Sequence, residues 1–405
     1  MSLLEKSSSI EIDSQESAFT AKRNTYSLGQ KVQIEVQVDR EYIDFQNSYL
    51  KLKAVFGAST DALHNPWFAG LCVRNLRVKT LGGQQMGNEI NEYRAWYQMV
   101  MELSSNSDFV DSYGEVMEGA KATALADAGS TIQFSHKFMA HIFSVAEYYP
   151  AHFHQGLMIE FDLPQNINEL CYEATNTGDA LPATLTFEDI EYVARLVQVK
   201  PEIENEMVAL MEQGQLFVDY MEVLTQQNDM AAQSGAQNYD IIGIDGRVRS
   251  INTYTIQDAD RDGDEEAYYA TWGLNNLSSY RYKLGPRYLN YEAIEVGSNT
   301  RAEQTAELLK SLDLYDNNKL KYQTGNSALT PALLETNRFA TGYRVAKSQK
   351  KIDQTISSSI DKDRNNVRVE LNFSSAPTVG TIYTHITVDK RLQLLPGSVV
   401  RTVRS

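Results

Sequence analysis

The sequence predicts an all-β protein made of two similar β units, with a few short helices laid against the sheets. Three observations carry this reading. Apolar and polar residues alternate strictly along many short segments; Tyr is abundant, at 23, while Pro is held to 9; and helical spacing is confined to three stretches. Alternation with a period of two marks a strand with one buried and one wet face. Such strands build antiparallel sandwiches or barrels, because strands of parallel α/β sheets read as continuous apolar runs. Tyr, Thr and Val suit these half-buried surfaces.

Residues 1–24 are polar, mixed in charge and rich in Ser and Glu. They read as an N-terminal arm, disordered alone or ordered only against a neighbour. Over residues 31–38, Val32, Ile34, Val36 and Val38 alternate with polar partners. The pattern returns at Leu50/Leu52/Ala54/Phe56, Leu157/Ile159/Phe161/Leu163, Val193/Arg195/Val197/Val199, Val367/Val369/Leu371/Phe373 and Ile382/Thr384/Ile386/Val388. Asn88 is placed to cap a helix near 89–103, with Ile90, Tyr93, Tyr97, Val100 and Met101 on one side. Pro201 and Gly214 bracket a second helix carrying Ile203, Met207, Leu210 and Met211. Thr300 and Glu303 form a capping-box pair ahead of a third, near 301–314.

The helices suggest a repeat. Strands near 31–56 and 68–81 lead into the first helix, and strands near 216–225, 241–256 and 268–284 lead into the third. The expected division is an arm at 1–24, a first β unit at 25–200, a linker helix at 201–214 and a second β unit at 215–405. At 405 residues the chain is long enough for two large β units.

Composition narrows the function. Hydrophobic residues at 42% and charged residues at 22% are ordinary for a globular protein. No apolar run approaches the roughly 18 to 20 residues of a membrane span, and no apolar segment follows a basic start, so synthesis in the cytosol is expected. The net charge of −16 opposes binding nucleic acid over the whole surface. Basic residues gather only toward the C-terminus. Arg338, Arg344, Lys347, Lys350 and Lys351 fall in a stretch without acids, and Lys390, Arg391, Arg401 and Arg404 follow; they read as a solvated face, with a phosphate or partner patch as the alternative. Cys72 and Cys171 have no metal or redox spacing and read as buried thiols.

Catalytic signatures are missing. The run Gly82-Gly-Gln-Gln-Met-Gly87 lacks the Gly-Lys-Ser/Thr ending of a phosphate-binding loop and reads as a turn. There is no G-x-S-x-G elbow and no H-E-x-x-H. His152 and His154 would point the same way on a strand, as metal ligands can, but flanking Tyr149 and Phe153 favour structural histidines. The sharpest local signal is Asp258, Asp260, Asp262, Asp264 and Glu266 around Gly263, the spacing with which a loop wraps oxygen ligands around Ca²⁺. Tyr269 stands where a bidentate Glu is needed, so a solvated acidic loop explains the run and a Ca²⁺ site is the alternative. Tyr268, Tyr269, Trp272, Tyr280, Tyr282, Tyr288 and Tyr291 fit sheet core and subunit contact better than a stacking surface for sugars or bases.

Three further runs carry a resemblance. Residues 47–56 (Asn-Ser-Tyr-Leu-Lys-Leu-Lys-Ala-Val-Phe), 67–80 (Trp-Phe-Ala-Gly-Leu-Cys-Val-Arg-Asn-Leu-Arg-Val-Lys-Thr) and 89–97 (Glu-Ile-Asn-Glu-Tyr-Arg-Ala-Trp-Tyr) resemble the first barrel of double jelly-roll major capsid proteins. These belong to icosahedral double-stranded DNA viruses such as virophages, polinton-like viruses and some tailless phages. Residues 280–288 with the helix after them, and 381–388, 392–396 and 399–401, resemble strands of the second barrel. The resemblance spans nearly the whole chain as a strand pattern rather than an invariant signature.

It implies two tandem eight-stranded jelly rolls and a structural role without catalysis. Three chains would close into a pseudo-hexagonal capsomer, and capsomers would tile a virion shell together with neighbouring capsomers, penton and minor capsid proteins. An internal membrane could lie underneath, and no specific nucleic-acid recognition is expected. The segments at 104–155 and 315–366 are the expected outward loops and intersubunit contacts, and no cofactor is expected beyond the Ca²⁺ alternative. Two other classes stay open: a carbohydrate-binding β-sandwich, and a viral spike or fibre subunit.

Overall fold

The computed structural model describes residues 10–105, 107–126, 128–173, 180–258, 272–273, 275–297, 301–313, 339–345, 366–397 and 399–403. The first half runs β1 (Glu11–Thr20), β2 (Thr25–Ser27), β3 (Lys31–Gln37), β4 (Tyr42–Phe56), β5 (Ala62–His64), α1 (Phe68–Leu71), β6 (Asn75–Thr80), α2 (Tyr93–Ser104), α3 (Ser107–Val110), α4 (Tyr113–Glu118), β7 (Ser130–His136), β8 (Gly156–Asp162), β9 (Cys171–Glu173) and β10 (Leu185–Val199). Helix α5 (Pro201–Glu212) follows. The second half runs β11 (Leu216–Met230), β12 (Gly235–Ile241), β13 (Arg247–Gln257), β14 (Leu277–Leu284), β15 (Arg287–Tyr288), β16 (Ile294–Glu295), α6 (Ala302–Ser311), β17 (Ala340–Arg344), β18 (Val367–Phe373), β19 (Gly380–Leu395) and β20 (Val399–Val403).

Each half packs two main antiparallel sheets over a core. In the first, a sheet ordered β1-β10-β4-β7, with β2 also on β10, faces the sheet β3-β8-β6. Val32, Ile34, Val36, Leu50, Leu52, Ala54, Leu157, Ile159 and Phe161 are buried between them. The alternate residues point outward and pair across strands: Lys79 Nζ lies 2.7 Å from Glu160, Arg77 forks onto Asp162, and Lys51 meets Glu191 at 2.9 Å. In the second half the sheet β11-β19-β13-β17, with β20 on β19, faces β12-β18-β14-β15, with β16 on β14. Ile382, Ile386 and Val388 pack there against Tyr280, Tyr282, Val367, Val369 and Leu371.

Several sequence expectations change. Residues 11–20 are not a free arm: β1 pairs antiparallel with β10, with Glu16 opposite Arg195. Residues 68–71 are helical, so the strand expected at 68–81 is confined to β6. Asn88 caps no helix. Ile90 is still bridged to Leu76, the Glu92 N–H donates to Asn75 Oδ1, and α2 starts only at Tyr93, behind Glu92 at φ +48°. Thr300 lies outside the described residues; α6 begins at Ala302 after Arg301, which makes no side-chain cap. The segment 104–155 is more than outward loop, because β7 pairs with β4 and Phe134, Phe138, Ile142, Phe143 and Tyr149 are core.

The largest difference concerns β19. Its alternation predicted one wet face, yet every residue from Gly380 to Lys390 is buried. One side of the β11-β19-β13-β17 sheet covers the second core, and Tyr254, Tyr383, Leu392 and Leu394 belong to a cluster continuous with the core of the first half.

Candidate functional site

Among the described residues, one set of buried chemistry-bearing side chains lies at the seam where the first half meets the sheet of β11, β19 and β13. Glu222 on β11 and Lys390 on β19 are both buried, with Nζ 2.8 Å from Oε2. The Asn88 N–H donates to Glu222 Oε1 at 2.8 Å, so a loop of the first half closes on the carboxylate of the second. Beside it, β11 finds partners in the first half. The His141 N–H donates to the Met221 carbonyl at 2.6 Å, and the Met221 N–H donates to Ser144 Oγ at 2.7 Å. Gly87 makes this approach feasible: its φ is +122°, and a Cβ there would lie 2.6 Å from Tyr220 Oη and 3.0 Å from His141 Nε2.

Two more contacts flank these. Tyr254 Oη donates to the Ala95 carbonyl of α2 at 3.1 Å. Gln84 pairs with Val400 of β20 through both ends of its amide, accepting from the Val400 N–H at 3.0 Å and donating to the Val400 carbonyl. A side chain thereby imitates a neighbouring strand at the sheet edge.

The electrostatics follow from the dryness. Burial, reinforced by the Lys390 charge, pushes the His141 imidazole down to about 3. Burial raises the Glu222 carboxyl in spite of Lys390 and the Asn88 N–H, which pull the other way. Burial also lowers His385, held by Thr225 Oγ1 at 2.9 Å, to about 3.

The residues singled out in the sequence fall elsewhere. His152 and His154 lie in a 3-10 turn (Ala151–His154), not on a strand, and have separate partners: His152 Nε2 is 2.8 Å from Glu204, while His154 meets Tyr149 Oη at 2.6 Å and the Gly156 carbonyl at 2.7 Å. Asp258 follows β13, its N–H donating to the Val379 carbonyl at 3.1 Å; Asp260, Asp262, Asp264 and Glu266 lie outside the described residues. Among the described residues no group of three His, Cys, Asp or Glu side chains could hold a metal. Arg344 on β17 is largely buried near Asp313, and Arg401 is exposed on β20. Lys347, Lys350, Lys351 and Arg404 lie outside the described residues. Trp272, Tyr280 and Tyr282 are core, whereas Tyr291 is exposed and Tyr288 lies under Arg281, 3.6 Å from the ring centre.

No protein-family profile matches the sequence, and no curated protein does. Solved structures do match. The capsid protein in the PBCV-1 virus capsid aligns over 97% of this chain and 97% of its own, at 10% identity and a TM-score of 0.64. The Faustovirus major capsid protein aligns over 94% of this chain and 90% of its own, at 8% identity and 0.61. The chain from the Sputnik virophage structure aligns over 98% and 89%, at 8% identity and 0.60. With two sandwiches of antiparallel sheets and this end-to-end likeness, the chain has the double jelly-roll fold of these capsid proteins.

Proposed function

We propose that the protein is the major capsid subunit of an icosahedral virus, with residues 25–200 and 215–405 as its two jelly rolls. The observation that carries this reading is a fold shared over nearly the full length of both chains with the capsid proteins of PBCV-1 and Faustovirus. The core positions of Trp272, Tyr280 and Tyr282 remove part of the stacking surface that a carbohydrate-binding alternative needs. A shell subunit functions through repeated contacts. Helix α4 offers one: Glu118 at its end accepts from Tyr97 Oη at 2.9 Å and lies 3.0 Å from His136, while Tyr113, Val116 and Met117 stay exposed.

In this reading three chains close through α4, and the capsomers then meet their neighbours and the penton and minor proteins of the virion. Light scattering of the native protein tests it. The expected mass is three times 45.6 kDa or a larger particle, and Val116→Asp should return it to 45.6 kDa. A wild-type monomer at all concentrations would overturn the proposal. Added chelator should shrink the assembly only if the acidic run from Asp258 to Glu266 holds Ca²⁺.

A further inference from the structure

We propose that the seam between the two β units is an acid-operated release: protonation of the His141 imidazole parts the units while each keeps its own core.

The geometry admits only the neutral ring. His141 Nδ1 accepts the Ile142 N–H at 2.8 Å, so the ring proton sits on Nε2. A second proton on Nδ1 would set two donors face to face and break that bond. The ring is fully buried, its Nε2 edge faces Gly87 and its face lies 5.5 Å from the Tyr220 ring. The backbone at His141 adds strain, since φ +63° and ψ −154° belong to a region that only glycine enters freely. The same residue donates the seam bond to Met221. Displacing the ring therefore displaces the joint.

The charged surroundings point the same way. Lys390 from β19 opposes a second cation. Its natural partner, Glu222 of β11, is already committed to Lys390 Nζ and the Asn88 N–H. Asp245, before β13, acts on Glu222 and Tyr220 rather than on the imidazole, and Thr402 of β20 faces Tyr220.

The sign follows by linkage. An opened seam returns His141 to its ordinary value near 6.5, so the closed form is fully favoured above that pH and loses ground as pH falls toward 3. Glu222 works against release, because its raised carboxyl takes up a proton more readily when closed. A single histidine with these end points raises the open population about thirtyfold between pH 8 and pH 5.

Hydrogen exchange of the full chain, with rates divided by the intrinsic rate at each pH, reads this directly. The amides of Asn88, His141 and Met221 should lose protection by pH 5, His141 contributing about thirtyfold and Glu222 returning part of it, while those of Ile34 in the first core and Val369 in the second hold theirs. In His141→Asn, which can still accept the Ile142 N–H but does not titrate, the change in protection between pH 8 and pH 5 should be about thirtyfold smaller than in the wild type, leaving only what Glu222 and His385 contribute. His141→Gly suits the backbone, lacks the ring, and serves as the second variant. Parallel loss at seam and core, or a pH response in a variant without the imidazole that equals the wild type's, would overturn the proposal.

Discussion

Lys390 and Glu222 carry opposite charges into a dry interface, and such a pair is held less by its attraction than by the penalty of breaking it. Lys390→Met should cost about 3–5 kcal/mol, because the Glu222 carboxylate is left buried and uncompensated. Adding Glu222→Leu should recover most of that loss. Urea unfolding of the two variants checks it, and a single-variant cost below about 1 kcal/mol would show the pair to be dispensable. These residues were legible in a way the strand reading passed over. Glu222 falls in phase with Leu216, Val218 and Tyr220, and Lys390 with Ile386, Val388 and Leu392, so each charge interrupts the apolar face of its strand. Two interruptions of opposite sign mark strands that meet. His141 gave no such signal, because its strain and burial come from contacts with Gly87 and β11 that lie far along the chain.

Most of the strands were readable because period-two alternation is a local property, and β3, β8 and β18 fall where it predicted them. Failures came where a long-range partner overrode the local pattern. The exposed, irregular residues of β1 carry no alternation, and its strand form is dictated by the long edge of β10. Helix α2 starts late because the backbone ahead of it is already bonded to Glu222, Leu76 and Asn75. Pro201 and Gly214, which act through their own backbone preferences, bracketed α5 as expected. Removing residues 1–20 should uncover the β10 edge opposite Glu11–Thr20 and promote association through it. Sedimentation velocity should then show higher aggregates than the full chain forms, and an unchanged distribution would mean another segment protects that edge.

At the scale of the molecule, the halves are two sandwiches with one dry boundary, and the first hydrophobic cluster runs across it from Val32 to Val218, Tyr254 and Leu392. Two β units could be read from the repeat of strands and helices. Their joint could not, because a buried Thr, Tyr or His on β19 looks in sequence like any residue on a wet face. Shared packing couples the halves, so calorimetry at pH 8 should show one cooperative transition whose calorimetric and van't Hoff enthalpies agree. Lys390→Met should split it into two. A wild-type profile with two separate peaks would mean that the boundary contributes little.

The amide of Gln84 grips Val400, 316 residues later in the chain. On a ribosome adding about 5–20 residues per second, that interval lasts about 15 to 60 s. For the later part of it, once β10 (Leu185–Val199) has been made, the first half stands with its contact for β20 still open. The joint between the halves is thus a late event of synthesis, and a nascent chain that stalls before Val400 presents to the cell a first sandwich with an uncovered, apolar flank, which is the surface a chaperone would hold.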